Sequence, residues 1–269
     1  MSMFSFQGKT VVVVGGTSGI NYGIAQSFAR AGANLAVISR SQEKVDSAVA
    51  GLEDLGANAM GLSCDVRNYD ELVTAMDAFK DRFGEFDVLV SGAAGNFPAR
   101  AMDMSPNAFA SVINIDLMGT FHVMKAAFAH LKKPGASVIN ISAPQSYIAA
   151  DFQSHVCSAK AGVDMLTRNL AREWGCEGIR VNSVVPGPIE VSEGMNRLAP
   201  TKAMQDAIVD SVPLGRNGTH EDIGNCCMFL SSQFASYISG VILPVDGAWS
   251  LGGYSVSMNA MQSIMGQSS

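Results

Sequence analysis

The sequence predicts a single α/β domain whose core is a doubly wound parallel sheet of seven strands. Three observations predict it: apolar runs alternate with helical patterns along the chain, these runs lack the alternation of half-exposed strands, and a glycine-rich turn joins the first run to the first helix. In such folds the crossovers are right-handed and ligands bind outside the carboxyl ends of the strands. The stretches that follow each strand are therefore where a site is expected.

Composition and charge limit the partners of this chain. Its 269 residues suffice for one large core, and 24 acidic against 18 basic residues give a formal net charge of -6. The basic residues form no cluster in the sequence and no apolar run could span a bilayer, so neither nucleic acid nor a membrane is an expected partner. The five cysteines lack metal-ligand spacing, and the final Gln267-Ser268-Ser269 is not a peroxisomal address of the Ser-Lys-Leu type. We therefore expect reduced thiols, no metal site and a cytoplasmic location.

The first strand, turn and helix carry the most specific motif. Residues 10–14 are a β-branched run typical of a strand buried on both faces, and residues 35–39 form a second strand. Between them, residues 15–23 are a glycine-rich turn that opens a helix. Glycines allow positive φ angles and close backbone approach, and free N–H groups at a helix start attract a pyrophosphate. The arrangement predicts a Rossmann-type dinucleotide site whose first contacts are Gly15, Thr17, Ser18, Gly19 and Ile20.

The end of the second strand distinguishes the two nicotinamide dinucleotides. An acidic residue at this point binds the adenosine ribose hydroxyls, whereas a cation suits a 2′-phosphate. This chain has Ser39-Arg40 there and no competing acid. Because a guanidinium is a planar donor for a phosphate, the sequence favours NADP(H); the alternative is an arginine in a solvated loop.

The rest of the chain continues the alternation to a seventh strand. We expect helices at 43–55, 68–83, 106–131, 152–174 and 220–230, and strands at 57–62, 88–90, 138–141, 180–185 and 239–245. Three strand ends supply further candidate cofactor contacts, which are Asp65 and Val66, then Ala93, Ala94 and Gly95, then Pro186, Gly187 and Ile189. Since parallel strands end at one edge of the sheet, these contacts should meet there.

Three other stretches depart from the simple pattern. Asp116 lies on what should be a buried face of helix 106–131, where an isolated acid needs a partner or a role. Residues 190–213 are irregular and polar apart from a helical piece near 202–211, and we interpret them as a mobile substrate lid. Residues 254–269 show no clean period, which predicts a tail that is disordered or packs on a neighbouring subunit. The domain should therefore span residues 1–253.

Together these motifs resemble the short-chain dehydrogenase/reductase family over roughly the whole chain. The matching positions are Gly15, Gly19, Ile20, Asp65, Val66, Ala93, Ala94, Gly95, Lys160, Asn182, Pro186, Gly187, Pro188, Ile189, Asp246 and Gly247. The family commonly has a third glycine where this chain has Asn21. Its usual chemistry uses a tyrosine, a serine and an asparagine at positions that here hold Val156, Ala143 and Asp116. Only Lys160 of that group remains, so ketone–alcohol interconversion by the family mechanism is not expected.

A narrower resemblance accounts for these replacements. Segments 93–97, 115–116, 140–143, 158–164 and 171–175 look like the 2,4-dienoyl-CoA reductases of the peroxisomal type, which also lack the tyrosine and keep a lysine with nearby acids. The resemblance implies hydride transfer from NADPH to a conjugated dienoyl thioester, an acyl-CoA substrate, and a 3-enoyl-CoA product. Negative charge then develops on the thioester oxygen, which requires hydrogen-bond donors but not a phenol. It also implies a homotetramer with interfaces at 117–131 and 166–174.

The same resemblance suggests catalytic and substrate-binding residues. Lys160 is expected to bind the nicotinamide ribose and to add positive potential near the oxyanion. Asp164 lies one helical turn beyond Lys160, so both side chains share a face. Asp164 and Asp116 would then orient a water as the proton source, unless Asp164 forms only a plain intrahelical ion pair. Asn96 and Phe97 are expected to contact the acyl group or the nicotinamide.

Several further assignments stay open. Tyr147, in the loop after the fifth strand, is either a substitute donor that touches substrate or a packing residue. His155 titrates near neutrality, but its neighbour's helix position faces the site, which favours a packing role. The cations available for coenzyme A phosphates are Arg100, Arg197, Lys202 and Arg216. Two other functions remain: reduction of another carbonyl or enone compound, and non-catalytic NADP(H) binding.

Overall fold

The computed structural model describes residues 4–190 and 201–253, and within them it confirms the predicted fold. Seven strands form one sheet in the order β3-β2-β1-β4-β5-β6-β7, and every pairing is parallel. The strands are β1 (Thr10–Val14), β2 (Asn34–Ser39), β3 (Ala59–Ser63), β4 (Val88–Ser91), β5 (Ser137–Ile141), β6 (Arg180–Pro186) and β7 (Ile242–Val245). Strands β2 and β3 lie on one side of β1 and strands β4 to β7 lie on the other side, so the order reverses between β1 and β4. This switch point is where open α/β sheets bind their ligands.

Helices cover both faces of the sheet. They are α1 (Gly19–Arg30), α2 (Gln42–Glu53), α3 (Tyr69–Phe83), α4 (Pro106–Val112), α5 (Gly119–Ala127), α6 (Ser154–Trp174), α7 (Lys202–Ser211) and α8 (His220–Ser231). No helix among the described residues is long and apolar enough to cross a membrane.

The central strand β1 divides the hydrophobic core into two layers. Val11 and Val13 pack on one side with Phe28 of α1, whereas Val12 and Val14 pack on the other side with Phe79 of α3. Alternate residues of a strand point to opposite faces, and both faces here are apolar. Because helices cover both faces of the sheet, apolar and polar residues do not alternate along β1.

The prediction of one continuous α-helix at 106–131 is wrong for the middle of this range. Between α4 and α5 the backbone forms a π-helical segment, Ile113–Met118, in which the Gly119 N–H donates to the Asn114 carbonyl. The Thr120 hydroxyl also donates to the Asp116 carbonyl, at 2.6 Å. Such i to i+5 turns are common at functional sites because they displace one side chain from helical register. Here the residue within the turn is Asp116, which is buried.

Two element starts also differ from the expected positions. Helix α6 begins at Ser154 rather than at 152, because Phe152 has a φ of 64°, outside the helical region. Strand β7 begins at Ile242 rather than at 239, after Gly240 with a φ of 82°. The predicted helical piece near 202–211 is confirmed as α7. Residues 191–200 of the predicted lid and the predicted tail 254–269 lie outside the described residues.

Candidate active site

The glycine-rich turn after β1 packs directly against the end of β4. Gly15 has a φ of +80°, and a Cβ atom there would lie 2.9 Å from the backbone nitrogen of Ala93. Its own N–H donates to the Ile38 carbonyl at 2.8 Å. A side chain at this position would therefore be strained and would collide with the neighbouring loop. The close backbone approach that phosphate binding requires is present.

Asn21, where related sequences commonly have a third glycine, ties these two loops together. Its Nδ2 donates to the Gly92 carbonyl at 2.8 Å, and Gly92 has no room for a Cβ because the Asn21 side chain occupies that space. Where a third glycine would add backbone flexibility, Asn21 thus provides a hydrogen bond that joins α1 to the residue after β4. The sequence around Asn21 carries no signal for this contact.

A cavity of about 230 Å³ opens at the switch point of the sheet. Nine predicted cofactor contacts line it, namely Gly15, Thr17, Ser18, Ser39, Arg40, Asp65, Val66, Ala93 and Ala94. Lining residues that the sequence did not indicate as contacts are Asn21, Lys44 and Ile115, together with the strand residues Val14 and Ile38. Cys64 and Gly92 also line the cavity, and each directly precedes a predicted contact in a stretch that the sequence indicated. Lys44 lies four residues after Arg40, in the first turn of α2, so a second cation near the expected phosphate was the available signal. The cavity and the glycine cradle fit a dinucleotide.

The charges around this cavity favour an anion near Arg40. Arg40 and Lys44 are exposed at its rim. The nearest acid, Asp65, is engaged by Arg67, whose Nε and Nη2 donate to it at 3.0 and 2.6 Å. That hydrogen bonding holds the pKa of Asp65 below its ordinary value. Burial, helped by the charges of Glu71 and Asp65, raises the pKa of the adjacent Cys64 thiol to about 11, so the cavity wall there is neutral.

The end of β6 supplies the opposite side of the predicted cofactor region. Gly187 packs so closely on the loop after β7 that a Cβ would lie 2.6 Å from Asp246 Cα. Ile189 is buried and pairs with Gly218 as an isolated parallel bridge. Pro186, Gly187 and Ile189 do not line the 230 Å³ cavity, and neither do Gly19, Ile20, Gly95 and Lys160.

Lys160 and Asp116 form a buried ion pair at the centre of the site. Their side chains are 8% and 1% exposed, and Lys160 Nζ lies 3.5 Å from Asp116 Oδ2. Lys160 also donates to the Ile141 carbonyl at the end of β5, at 3.0 Å. Asp116 Oδ1 accepts the Gly95 N–H at 2.7 Å. Burial raises the pKa of Asp116, while Lys160 and the Gly95 N–H oppose that rise.

Asp164 does not pair with Lys160, so the plain intrahelical ion pair is absent among the described contacts. It is 4% exposed, and its Oδ1 accepts the Ser183 hydroxyl of β6 at 3.2 Å. Its charge acts on Tyr147, which is 48% exposed. Burial raises the pKa of Tyr147, and the charges of Asp246 and Asp164 add to this, while a hydrogen bond with Ser250 lowers it. Asp164 therefore faces the Tyr147 side of the site, and Asp116 faces the β4 side.

Buried polar atoms without a hydrogen-bond partner are concentrated in this region. Seven such atoms lie in the loops after β4 and β5, the π-helical segment and the start of α6, and they are Asn96 Oδ1, Ser142 Oγ, Gln145 Oε1, Ser146 Oγ, both ring nitrogens of His155, and Asp116 Oδ2, which has only its ion pair with Lys160. Five more among the described residues belong to Asn21, Asn140, Asn217, His220 and Ser231. Since buried polar groups are nearly always satisfied, such a cluster indicates a place built for a polar ligand or for water.

The position where the family has its tyrosine is filled by apolar packing. Val156 is 4% exposed and clusters with Val112, Ala159 and the partly buried Phe97. This cluster forms an apolar wall beside Lys160 on the same helix. Because all of its side chains are apolar, no proton donor is supplied from that position.

Of the four cations considered for coenzyme A phosphates, two are engaged with acids. Arg216 donates to both oxygens of Asp222, at 2.7 and 3.2 Å, and Lys202 pairs with Asp206. Arg100 is exposed and has no ion pair with a described residue. Arg197 lies outside the described residues. Within the described chain no cluster of His, Cys, Asp or Glu side chains could hold a metal ion.

Comparisons with known proteins place the chain among reductases. The family described as enoyl-(acyl carrier protein) reductase matches residues 14–250. A peroxisomal 2,4-dienoyl-CoA reductase, (3E)-enoyl-CoA-producing, from Arabidopsis thaliana is 41% identical over 90% of this chain and 84% of its own. The enzyme of that name from Danio rerio is 38% identical over 96% and 85%. A short chain dehydrogenase structure from Bacillus anthracis, 36% identical, has a TM-score of 0.82 and covers 91% of this chain and 98% of its own.

The expected cytoplasmic location is wrong, because these relatives are named as peroxisomal enzymes. The expectation depended on cysteine usage and on apolar runs, which separate secreted and membrane proteins from the rest. They do not separate one reducing compartment from another, since organelle addresses are read by receptors and leave composition unchanged.

We expect the buried ion pair of Lys160 and Asp116 to contribute to the stability of the fold. Lys160→Met should lower the free energy of unfolding by about 3 kcal/mol at pH 8, because it leaves Asp116 buried without an opposite charge. Because burial raises the pKa of Asp116, the folded protein tolerates a protonated Asp116 better than an ionised one. The loss should therefore grow as the pH rises above the ordinary value of 3.8. Urea unfolding at pH 5 and pH 8 measures it.

The matched control is the double variant Lys160→Met/Asp116→Asn, which removes both charges. It should be more stable than Lys160→Met alone at pH 8, with little change between the two pH values. Equal losses in the single and double variants would contradict the coupling of the pair.

Proposed function

The chain belongs to the short-chain dehydrogenase/reductase family, and from this premise we propose that it uses NADPH to reduce 2,4-dienoyl-CoA to 3-enoyl-CoA. The observation that carries the proposal is the buried Lys160 and Asp116 pair beside an apolar wall, at the position where a tyrosine would serve ketone reduction. The names of the relatives from Arabidopsis thaliana and Danio rerio support the same substrate and product.

The predicted cofactor contacts fit a dinucleotide with a 2′-phosphate. Its pyrophosphate would be held by the N–H groups from Gly15 to Ile20 at the start of α1, where the space beside Gly19 is open. Arg40 would face the 2′-phosphate, because the only acid lining the cavity, Asp65, is neutralised by Arg67. When bound, the reduced nicotinamide supplies the hydride that adds to the far end of the conjugated system.

Lys160 has two tasks in this reaction. Its bond to the Ile141 carbonyl fixes the ammonium group at the end of β5, where it can also reach a ribose hydroxyl. Its charge stabilises the negative charge that develops on the thioester oxygen, in a region from which water is largely excluded. Because the product is protonated at carbon, no alkoxide has to receive a proton, and a phenol is not needed.

Asp116 and Asp164 are assigned to the proton. Asp116 Oδ2 lies 3.5 Å from Lys160 Nζ and has no shorter hydrogen bond, which leaves this oxygen able to orient a water. Asp164 approaches from the opposite side, beside Ser183 and Tyr147. A water between the two carboxyl groups is the proton source that we assign to the α carbon of the dienolate.

The substrate-binding residues follow from the same geometry. Asn96 and Phe97 stand at the edge of the apolar wall that Val156 completes, and the Asn96 Oδ1 lacks a partner. Tyr147, half exposed, lies in the loop after β5 on the side of Asp164. Its raised pKa makes it a weak acid, which supports a binding role rather than proton donation.

The direct test is the loss of NADPH absorbance with a medium-length trans-2,trans-4-dienoyl-CoA. We expect rapid oxidation with this thioester and less than about one hundredth of that rate with a 3-ketoacyl-CoA, because the site lacks the donor for a ketone oxygen. Lys160→Ala should abolish turnover. Tight NADPH binding with no oxidation by either thioester would contradict the proposal, and an unchanged rate in Lys160→Ala would exclude the role given to that lysine.

Coenzyme preference is expected to depend on Arg40. Arg40→Ala should raise the KM for NADPH about tenfold, the loss expected for one charge-assisted hydrogen bond, and should leave the KM for NADH unchanged. Arg30→Ala, an exposed arginine at the far end of α1, is the matched control and should change neither constant. Equal effects on both coenzymes would argue against a 2′-phosphate contact.

We also propose a homotetramer whose interfaces include the predicted regions 117–131 and 166–174. Met118 and Phe121 are 40% and 39% exposed along the first region, which leaves an apolar face uncovered in one chain. Light scattering should show a mass four times that of the chain, and Phe121→Glu should lower it. Phe234→Glu, an exposed aromatic outside both regions, should not. A monomeric parent protein would refute the assembly.

A further inference from the structure

Asp164 is a buried acid that lacks a cation. It is 4% exposed in the middle of α6, and it forms no ion pair with a described residue, since Lys160 pairs with Asp116 instead. Its one hydrogen bond among the described residues is with the Ser183 hydroxyl, which donates to Oδ1 at 3.2 Å. A buried charge is costly unless hydrogen bonds or opposite charges stabilise it. An acid kept in this state beside a site indicates that the site uses it.

Ser183 reaches Asp164 from the sheet beneath α6. It is fully buried in β6, where its backbone lies in register with Asn140 of β5. Residues in register on parallel strands point to the same face of the sheet, and here both side chains contact α6. Asn140 Nδ2 donates to the Thr167 hydroxyl at 2.8 Å. Two buried strand side chains therefore bind two positions of α6 that lie three residues apart on one helical face.

The bond from Ser183 engages only one oxygen of Asp164. Oδ2 forms no hydrogen bond with a described residue, and the charge of Asp164 acts on Tyr147 in the loop after β5. A hydroxyl that donates to one oxygen restricts the rotation of the carboxylate. The second oxygen can then accept a hydrogen bond from a water in one direction.

We propose that Ser183 is a positioning residue, whose hydroxyl holds the Asp164 carboxylate in the orientation that directs a water toward the α carbon of the substrate. The inference rests on the proposed function, which assigns Asp164 to that water. Ser183 takes no part in proton transfer and acts only through Asp164. Its removal should therefore slow the protonation step and leave the binding of coenzyme and thioester unchanged.

The decisive variant is Ser183→Ala, which removes the hydroxyl and little volume. The kcat for the dienoyl thioester should fall about tenfold, because a small displacement of a catalytic group is enough for such a loss. The KM for the thioester and the dissociation constant for NADPH should stay within about twofold. The ratio of kcat in ordinary water to kcat in heavy water should rise, since transfer of the solvent-derived proton becomes slower.

A double variant tests whether Ser183 acts through Asp164. Asp164→Asn keeps the shape of the side chain and should lower kcat by itself. In that background Ser183→Ala should change kcat by less than about twofold, whereas two residues that act independently would give the product of the two losses.

Thr167→Val is the matched control on the same helical face. Thr167 is fully buried, and its hydroxyl accepts from Asn140 and donates to the Val163 carbonyl at 2.9 Å, so both of its partners belong to the fold. This variant should lower the Tm at least as much as Ser183→Ala but leave kcat and the solvent isotope effect unchanged. The comparison separates the orientation of Asp164 from the packing of α6 on the sheet.

Three results would overturn the proposal: a parental kcat in Ser183→Ala, losses that multiply in the double variant, and an equal loss of kcat in Thr167→Val. If the parent protein does not oxidise NADPH with a dienoyl thioester, the proposed function fails by itself. Infrared difference spectra of protein labelled with carbon-13 aspartate then decide the contact. Ser183→Ala should shift one carboxylate band, and this shift should be absent in the Asp164→Asn background. An unchanged carboxylate spectrum would refute the contact that the proposal requires.

Discussion

The buried pair of Lys160 and Asp116 is the interaction on which the rest of the site depends. A lone ammonium or carboxylate at this depth would be costly, and each group here offsets that cost for the other. Through its two bonds the pair also joins three parts of the fold, since Lys160 binds the end of β5 and Asp116 binds the Gly95 N–H after β4. The ion pair to which we assign the chemistry therefore also holds α6, the π-helical segment and the sheet together.

The polar atoms around this pair are left incompletely satisfied. Asn96, Ser142 and Ser146 each bury an oxygen without a partner within a short stretch of the fold. A stable protein normally avoids such groups, and their concentration at one place is the mark of a site whose partners arrive with the ligand. The apolar wall completed by Val156 is the surface to which the proposed function assigns the acyl chain. Together they suit a substrate with a polar thioester and an extended acyl group.

The replacement of three residues in the usual constellation has a consistent chemical meaning. The proposed reaction ends with a proton on carbon and needs charge stabilisation and a water, the tasks that we assign to Lys160 and to the two acids. Asp116 is central because it takes the place of an asparagine and becomes the counter-ion of Lys160. A similar replacement is found in the glycine-rich turn. Asn21 occupies a position where the family commonly has a glycine, and its side chain donates a hydrogen bond to Gly92.

The sequence by itself determined the alternating strands and helices of the α/β fold, the glycine turn and most of the cavity lining, because hydrophobic period and turn chemistry are local properties. It also indicated Lys160, Asp116 and Asp164 through a family resemblance. Only the tertiary structure decided their partners. The π-helical turn that directs Asp116 to Lys160, the bond from Ser183 to Asp164, and the burial of His155 against Phe97 all join segments distant in the chain. Such contacts depend on how packed elements meet, and no local pattern records that.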